Sequence, residues 1–212
     1  LLRIFRVKRP MEAASGFPMA TRTPSRPRSS REPNPPGFPG ATPNPNDFHR
    51  GSVGKGCDAI QARTSALCEA IERISALTRG TESRKKTSFE ELGGSAIHPD
   101  RLQSFSEAQF QNRQRDNQGV DDVRRLTPLP FDSQALIDWT PVWSLSHSRH
   151  FYAPMAYCYQ GTGDHLGEAY CPFNPNGHAS GNTLEEAILQ GSLELIERDA
   201  VAIWWYNRLQ RP

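Results

Sequence analysis

Two segments of the chain show apolar residues that recur every three or four positions, which is the period of an α-helix. The first predicted helix runs from Asp58 to Leu77, and the second runs from Thr183 to about Tyr206. Glu186 follows Thr183 by three residues, a capping-box pattern that marks the start of the second helix. We expect one apolar stripe on each helix to face the core: Ile60, Leu67, Ile71, Ile74 and Leu77 in the first, and Leu184, Ala187, Ile188, Leu195, Ile196 and Ile203 in the second.

Between these helices, residues 139–145 and 151–159 are aromatic and β-branched, which predicts two strands. The polar residues 146–148 between them predict a hairpin loop. Pro141 and Pro154 lack the N–H that a central strand donates, so we expect them at edge positions or strand starts. The polar stretch 80–125 predicts a surface insertion with some helix around Phe105–Phe110.

The N-terminal part of the chain has a different composition. Residues 1–50 hold 10 of the 18 prolines, nine Lys or Arg and only three Asp or Glu. Such a segment cannot bury enough apolar surface to offset its chain entropy, so we predict that 1–50 is a disordered Pro/Arg-rich extension. We assign residues 51–212 to one domain.

Charge, cysteines and hydropathy exclude several classes of protein. The chain has 25 basic and 23 acidic residues; since 1–50 is basic, 51–212 is left with 16 basic and 20 acidic residues and gives no indication of nucleic-acid binding. The four cysteines form no C-x-x-C pair, which indicates neither a zinc nor a redox motif. No apolar run approaches the ~18 residues of a membrane span. We therefore expect a cytoplasmic protein in a reducing compartment.

The polar faces of the two helices repeat each other at a shift of 125 residues. Residues 69–73 (EAIER) match residues 194–198 (ELIER) at four of five positions. The corresponding polar positions are Gln61, Ser65, Glu69, Glu72 and Arg73 in the first helix and Glu186, Gln190, Glu194, Glu197 and Arg198 in the second. Each helix therefore presents two carboxylates one turn apart on one side.

Two interpretations of these carboxylates remain open. They could form salt bridges with Arg73 and Arg198 on a solvated face, as in many Glu- and Arg-rich helices. Alternatively, four carboxylates with amide and hydroxyl neighbours are hard oxygen ligands that suit Mg²⁺ or Ca²⁺, and Mg²⁺ often binds together with a nucleotide phosphate. The common nucleotide motifs are absent: a phosphate-binding loop ending at Gly54-Lys55 would need glycine at His49, and Gly56 stands where its Ser or Thr should be.

The motifs at both helices resemble those of the YcaO-domain family. The first includes residues 52–56 (SVGKG) and 61–73 (QARTSALCEAIER), and the second includes 173–177 (FNPNG), 181–191 (GNTLEEAILQG) and 194–199 (ELIERD). The segment 202–208 (AIWWYNR) resembles the branch of the family that makes azoline heterocycles in peptides. The resemblance covers roughly residues 51–212.

This resemblance implies an α+β fold, the N-terminal part of a YcaO-like domain, with the two repeated helices on either side of a nucleotide-metal site and β-hairpins beside them. It implies ATP- and Mg²⁺-dependent cyclodehydration: a Cys, Ser or Thr of a precursor peptide attacks the preceding backbone carbonyl, whose oxygen is phosphorylated and lost, leaving a thiazoline or oxazoline. By position, the Mg²⁺ ligands would be Glu69, Glu72, Glu194 and Glu197. The nucleotide-binding residues would be Lys55, Gln61, Ser65, Arg73, Asn182, Glu186, Gln190 and Arg198; no catalytic residue is assigned.

Other interpretations accompany the resemblance. Glu186 could serve only as the capping partner of Thr183, and Lys55 could be a solvated loop lysine. The alternative functions are another YcaO reaction, namely thioamide or amidine formation, and a non-catalytic truncated remnant or binding module. Since the chain stops soon after the second helix, we expect a partial domain with an open sheet edge and exposed aromatic residues at 204–206. The expected partners are a precursor peptide, a leader-binding protein or domain, and a flavin dehydrogenase, with neither nucleic acid nor membrane.

Overall fold

The computed structural model describes residues 52–120 and 125–210; the predicted extension 1–50 lies outside the described residues. Helices and a small antiparallel sheet are combined, in agreement with the predicted α+β class. In chain order, the elements are α1 (Ala59–Ala76), β1 (Lys85–Thr87), α2 (Phe89–Leu92), a 3₁₀ turn (Gly93–Ser95), α3 (Pro99–Gln103), α4 (Glu107–Gln111), α5 (Arg113–Asp116), β2 (Ile137–Ser144), β3 (Arg149–Pro154), α6 (Met155–Cys158), α7 (His165–Tyr170) and α8 (Leu184–Tyr206).

The two predicted long helices are confirmed with their boundaries. Helix α1 is flanked by Asp58 and Leu77 as its cap residues, and α8 begins directly after its cap residue Thr183. Gly191 does not interrupt α8, although glycine inside a helix costs about 1 kcal/mol relative to alanine. Gly191 is one of the buried residues of α8, so it lies on the side of the helix that packs against the rest of the protein.

The sheet has three strands in the order β1-β2-β3, with both neighbours of β2 antiparallel to it. Lys85 pairs with Trp139 across β1 and β2, and Val142 pairs with Phe151 across β2 and β3. Residues 145–148 form the turn between β2 and β3, which confirms the predicted hairpin loop.

The second predicted strand is too long. It ends at Pro154, and Met155–Cys158 forms the short helix α6. Since proline cannot donate a ladder hydrogen bond, Pro154 closes the strand and serves as the residue before α6, not as a strand start. The expectation of an edge position or strand start is wrong for Pro141, which lies inside the central strand β2. Lys85, the first residue of β1, pairs with Trp139, so β1 does not extend along β2 as far as Pro141.

The prediction that residues 80–125 form only a surface insertion is wrong. This segment supplies β1, and it buries Leu92, Ile97 and Pro99. The polar composition was misleading because β1 joins the sheet through backbone hydrogen bonds, which do not depend on apolar side chains. Only three apolar residues of this segment are needed to pack it against the core. The predicted helix near Phe105–Phe110 is confirmed as α4, which starts with a capping box at Ser106.

The core lies on both faces of the sheet. One cluster is centred on Ile137 and Trp139, which are fully buried and packed by Leu92, Phe131 and Tyr170. The other joins Ile97, Val142, Phe151, Ala153, Met155, Cys158 and Tyr159. The indole Nε1 of Trp139 donates to the Thr87 carbonyl at 3.0 Å, so its polar atom is satisfied.

The predicted core-facing stripe of α1 is not covered by the described residues. Ile60, Leu67, Ile71 and Ile74 are 55% to 77% exposed, and only Ala76 in this helix is buried. In α8, Ala187 and Leu195 are buried as expected, whereas Leu184, Ile196 and Ile203 are exposed. Periodicity identified apolar helix faces correctly but could not show which part of the molecule covers them. The aromatic residues 204–206 are exposed, as expected.

None of the helices in the described ranges is both long and apolar enough to cross a membrane.

Candidate functional site

The repeat seen in the sequence is also a repeat of hydrogen bonds at the two helix starts. In α1, the Asp58 side chain accepts from the Gln61 backbone N–H at 2.8 Å, and Gln61 Oε1 accepts from the Cys57 N–H at 2.6 Å. These bonds satisfy donors that the first helical turn cannot pair internally. The polar side chain at Gln61 is therefore held by the helix start.

Helix α8 repeats both bonds 125 residues later. The Thr183 hydroxyl accepts from the Glu186 N–H at 3.2 Å, and Glu186 Oε2 accepts from the Asn182 N–H at 2.8 Å. Asn182, for which we predicted a nucleotide-binding role, thus contributes its backbone to the cap. The capping role of Glu186 is observed, and its predicted binding role remains a prediction.

A pair of glycines at corresponding positions brings each loop against its helix. A Cβ on Gly56 would lie 2.7 Å from the backbone nitrogen of Ala62, and a Cβ on Gly181 would lie 2.6 Å from that of Ala187. Atoms in contact do not approach this closely, so any side chain at these positions would push the loop away from the helix. Both helix starts therefore depend on glycine for the close approach of the preceding loop.

One glutamate on each helix is fixed by a loop amide and an arginine. Glu69 accepts from the Val53 N–H at 2.8 Å and pairs with Arg73. Glu194 accepts from the Gly177 N–H at 3.1 Å and pairs with Arg198 Nε at 2.7 Å. The predicted salt bridges at i, i+4 thus exist, and the loop donors were not visible in the sequence. Gly177 has a φ of 83°, which explains why glycine occupies that loop position.

Charged residues of both helices act on the carboxyl group of Glu72. Burial raises the pKa of Glu72 to about 7 from an ordinary value of 4.5, with further contributions from the charges of Glu194 and Glu69; Arg73 and Arg198 act in the opposite direction. The hydroxyl of Ser180, in the loop before α8, donates to the Cys68 carbonyl of α1 at 3.2 Å. Carboxylates from both repeats are therefore neighbours in space as well as in pattern.

This arrangement fits a hard cation in its chemistry. The pKa of Glu72 is raised first by burial and then by the neighbouring carboxylates, and a bound Mg²⁺ would stabilise the charged form of this group. Within residues 52–120 and 125–210, however, no three His, Cys, Asp or Glu side chains are gathered closely enough to hold a metal ion as they stand. The proposed metal ligands therefore stay a prediction; they are Glu69, Glu72, Glu194 and Glu197. To bind a metal ion, Glu69 and Glu194 would have to break their salt bridges with Arg73 and Arg198.

The remaining predicted residues differ in their exposure. Ser65 is half-buried on α1, and Gln190 and Glu197 are exposed on α8. Lys55 is exposed in the loop that precedes α1, and it makes no ion pair within the described part of the chain. Its predicted nucleotide contact and the alternative of a solvated lysine both remain open.

Residues 53–212 match the family described as YcaO cyclodehydratase, ATP- and Mg²⁺-binding, and the chain belongs to this family. The match contains both repeated helices and every residue predicted for the nucleotide-metal site. The resemblance inferred from the motifs is confirmed, and ATP and Mg²⁺ are the ligands of the family.

Two similar proteins of known structure are described as heterocyclases. A heterocyclase solved with substrate and cofactor is 47% identical, with a TM-score of 0.70, and it is matched over 75% of this chain and 21% of its own. The heterocyclase TruD is 45% identical, with a TM-score of 0.62, over 73% of this chain and 22% of its own. The chain thus spans about a fifth of the length of these heterocyclases.

A sequence relative comes from an archaeon. An uncharacterized protein of Methanothermobacter thermautotrophicus is 30% identical over 168 residues, which are 74% of this chain and 34% of the relative. This similarity adds no activity.

Proposed function

We propose that this chain provides the nucleotide-binding part of an ATP- and Mg²⁺-dependent peptide cyclodehydratase that forms thiazolines or oxazolines from Cys, Ser or Thr. The observation that carries the proposal is the proximity of the two repeats: Glu72 of α1 lies within the electrostatic influence of Glu194 and Arg198 of α8. The 47% identity to a heterocyclase over three-quarters of the chain supports the azoline branch.

The four glutamates and their neighbours divide into two groups. Glu69, Glu72, Glu194 and Glu197 would hold Mg²⁺, which neutralises charge on the phosphates of ATP when it is bound. Arg73 and Arg198 form salt bridges with Glu69 and Glu194 in the structure, and in the nucleotide complex their guanidinium groups would bind phosphate oxygens instead. The other residues proposed to bind or orient the nucleotide are Lys55, Gln61, Ser65, Asn182, Glu186 and Gln190.

The proposed reaction balances around one amide bond of the peptide. The side-chain sulfur or oxygen bonds to the preceding carbonyl carbon, and the carbonyl oxygen receives the terminal phosphoryl group of ATP. The thiol or hydroxyl proton is released as the new bond forms, and ADP leaves as the phosphoryl group is transferred. Loss of the phosphorylated oxygen as phosphate, together with the amide proton, then leaves a C=N bond in the ring. Phosphorylation is necessary because an amide oxygen is otherwise a very poor leaving group.

The partners proposed from the resemblance follow from this chemistry. A precursor peptide is the substrate, and a leader-binding protein or domain would present it. A flavin dehydrogenase would oxidise the azoline ring to an azole. We propose the cytoplasm as the compartment, where the four free cysteines would stay reduced.

Titration calorimetry of the chain with ATP, with and without Mg²⁺, tests the nucleotide site. We expect binding with Mg²⁺ and little without it; equal binding in both conditions would contradict the glutamates as metal ligands. Mass spectrometry of a precursor peptide tests the reaction, which removes one water for each ring. Exchange of an oxygen for a sulfur would indicate thioamide formation instead.

A further inference from the structure

A cleft lies beside the outer edge of the sheet. Its volume is about 720 Å³, within the range of ligand-binding clefts. None of the residues assigned to the nucleotide-metal site lines it. Its walls come from the 3₁₀ turn and α3 on one side and from β3 and the preceding turn on the other. The lining residues used below are Phe89, Gly94, Arg101, His147, Arg149 and Phe151.

The cleft lies where the segment that precedes Ala96 does not run along the outer edge of β3. Ala96 pairs with Tyr152 in parallel, and the Ile97 N–H donates to the Tyr152 carbonyl at 2.8 Å. The 3₁₀ turn at Gly93–Ser95 precedes this pairing and does not continue it along β3. Since backbone groups alternate sides along a strand, those of His150 point to the same outer side as those of Tyr152. Within the part of the chain that the structure describes, no strand therefore pairs with the outer side of β3 at His150.

Positive charge surrounds this open edge. Arg101 and Arg149 form no ion pair with any residue in the described ranges. The Arg149 guanidinium lies 4.2 Å from the centre of the Phe151 ring, which positions it at the mouth of the cleft. His147 is oriented by a contact of 3.0 Å between its Nδ1 and the Ser144 hydroxyl. Among the described residues, the two arginines that line this cleft thus have no carboxylate partner.

We propose that this cleft binds an extended acidic peptide segment that aligns with the outer edge of β3. Its backbone would pair with His150, and its carboxylates would bind Arg101 and Arg149. Residues 1–50 of the chain itself have the wrong charge for this role, with nine basic and three acidic residues. The occupant is therefore a separate acidic peptide.

The aromatic residues of the cleft favour a peptide over a single-stranded nucleic acid. Phe151 is only 8% exposed, and one face of its ring is covered by Arg149. Phe89 packs edge-to-face on His98 and Phe131, with ring centres 5.1 and 6.1 Å apart. Phe151 therefore offers little exposed ring surface to a base, and Phe89 is partly buried among its aromatic neighbours, whereas stacking dominates the binding of single strands.

Fluorescence anisotropy tests the proposal with a labelled peptide in which Asp and Glu alternate with Val and Thr. We expect Arg101→Glu and Arg149→Glu each to lower the affinity of the full chain about tenfold, since each removes a charge-assisted hydrogen bond. Lys86→Glu is the matched control, because Lys86 is an exposed strand cation on β1 at the opposite edge of the sheet. It should leave the affinity unchanged.

A second variant tests the cleft without altering its charge. A Cβ on Gly94 would meet no atom within 4 Å, so Gly94→Leu should fill the cleft, lower the affinity and leave the melting temperature unchanged. Three results would overturn the proposal. They are equal binding of a peptide with Asn and Gln in place of Asp and Glu, an equal loss in Lys86→Glu, and equally tight binding of a single-stranded RNA at the same salt concentration.

Discussion

Glu72 on α1 and Glu194 on α8 are close enough for their charges to interact, although 122 positions separate them in the sequence. Burial is the largest cause that raises the pKa of Glu72 to about 7, and the charge of Glu194 is the next. The repulsion between the charged carboxylates of Glu72 and Glu194 is therefore unfavourable for the folded protein. A bound cation would relieve it, which makes this pair the best place to test the site.

The first prediction concerns stability and pH in the absence of metal. Because the pKa of Glu72 is raised from 4.5 to about 7, the folded protein binds more protons than the unfolded chain between these values. The free energy of unfolding should therefore fall as the pH rises through this window, and added Mg²⁺ should reduce the loss.

Thermal melts at intervals from pH 4.5 to 8 measure this effect. Glu72→Gln should remove part of the pH dependence, whereas Glu107→Gln, on α4, should not. An unchanged pH profile in Glu72→Gln would show that this carboxyl group does not titrate abnormally.

The second prediction treats the two helices as one binding unit. If Glu72 and Glu197 bind the same metal-nucleotide complex, Glu72→Gln and Glu197→Gln should each abolish most Mg²⁺-dependent ATP binding. The double variant should lose little more. Calorimetric titration of the three variants measures the coupling, and independent losses that add would mean that the helices do not form a common site.

The third prediction concerns the glycines that place each loop against its helix. Gly56→Ala and Gly181→Ala should each lower the free energy of unfolding by about 1–3 kcal/mol, because the new Cβ meets backbone at 2.7 Å or less. Gly94→Ala is the matched control, since its Cβ would meet nothing within 4 Å. Chemical denaturation measures the differences, and equal effects at all three positions would contradict a repeated close approach.

The sequence predicted the long helices and the composition of the candidate site, but not the backbone contacts that shape that site. Helix periodicity and the Thr183 cap predicted both long helices, and the repeated glutamates predicted a common site. The bonds from the Val53 and Gly177 amides to Glu69 and Glu194 were not predictable, because a backbone donor leaves no trace in residue identity. The same reason hid β1, which joins the sheet through its backbone. The cleft at β3 was missed because Arg101 and Arg149 are far apart in sequence.

The fourth prediction separates the two roles of Glu186. Its carboxylate caps α8 by accepting from the Asn182 N–H, and Gln61 makes the equivalent bond in α1 through an amide oxygen. Glu186→Gln should therefore keep the stability of the protein, whereas Glu186→Ala should cost about 1 kcal/mol. If Glu186 also binds the metal-nucleotide complex, Glu186→Gln should still weaken ATP binding. Unchanged ATP affinity in Glu186→Gln would leave only the capping role.

The fifth prediction concerns the apolar faces that the described residues leave uncovered. Ile60, Leu67, Ile71 and Ile74 on α1 are exposed, as are Trp205 and Tyr206 at the end of α8. Contiguous apolar surface of this kind promotes association, so the chain should self-associate with rising concentration and should bind a hydrophobic dye. Leu67→Gln and Ile71→Gln should lower both signals without lowering the melting temperature, because neither side chain is packed. Sedimentation velocity and dye fluorescence measure the two effects. A chain that stays monomeric, does not bind the dye and melts in one sharp transition would contradict this prediction. The apolar faces would then be covered in solution, and Leu67→Gln and Ile71→Gln should destabilise the protein instead.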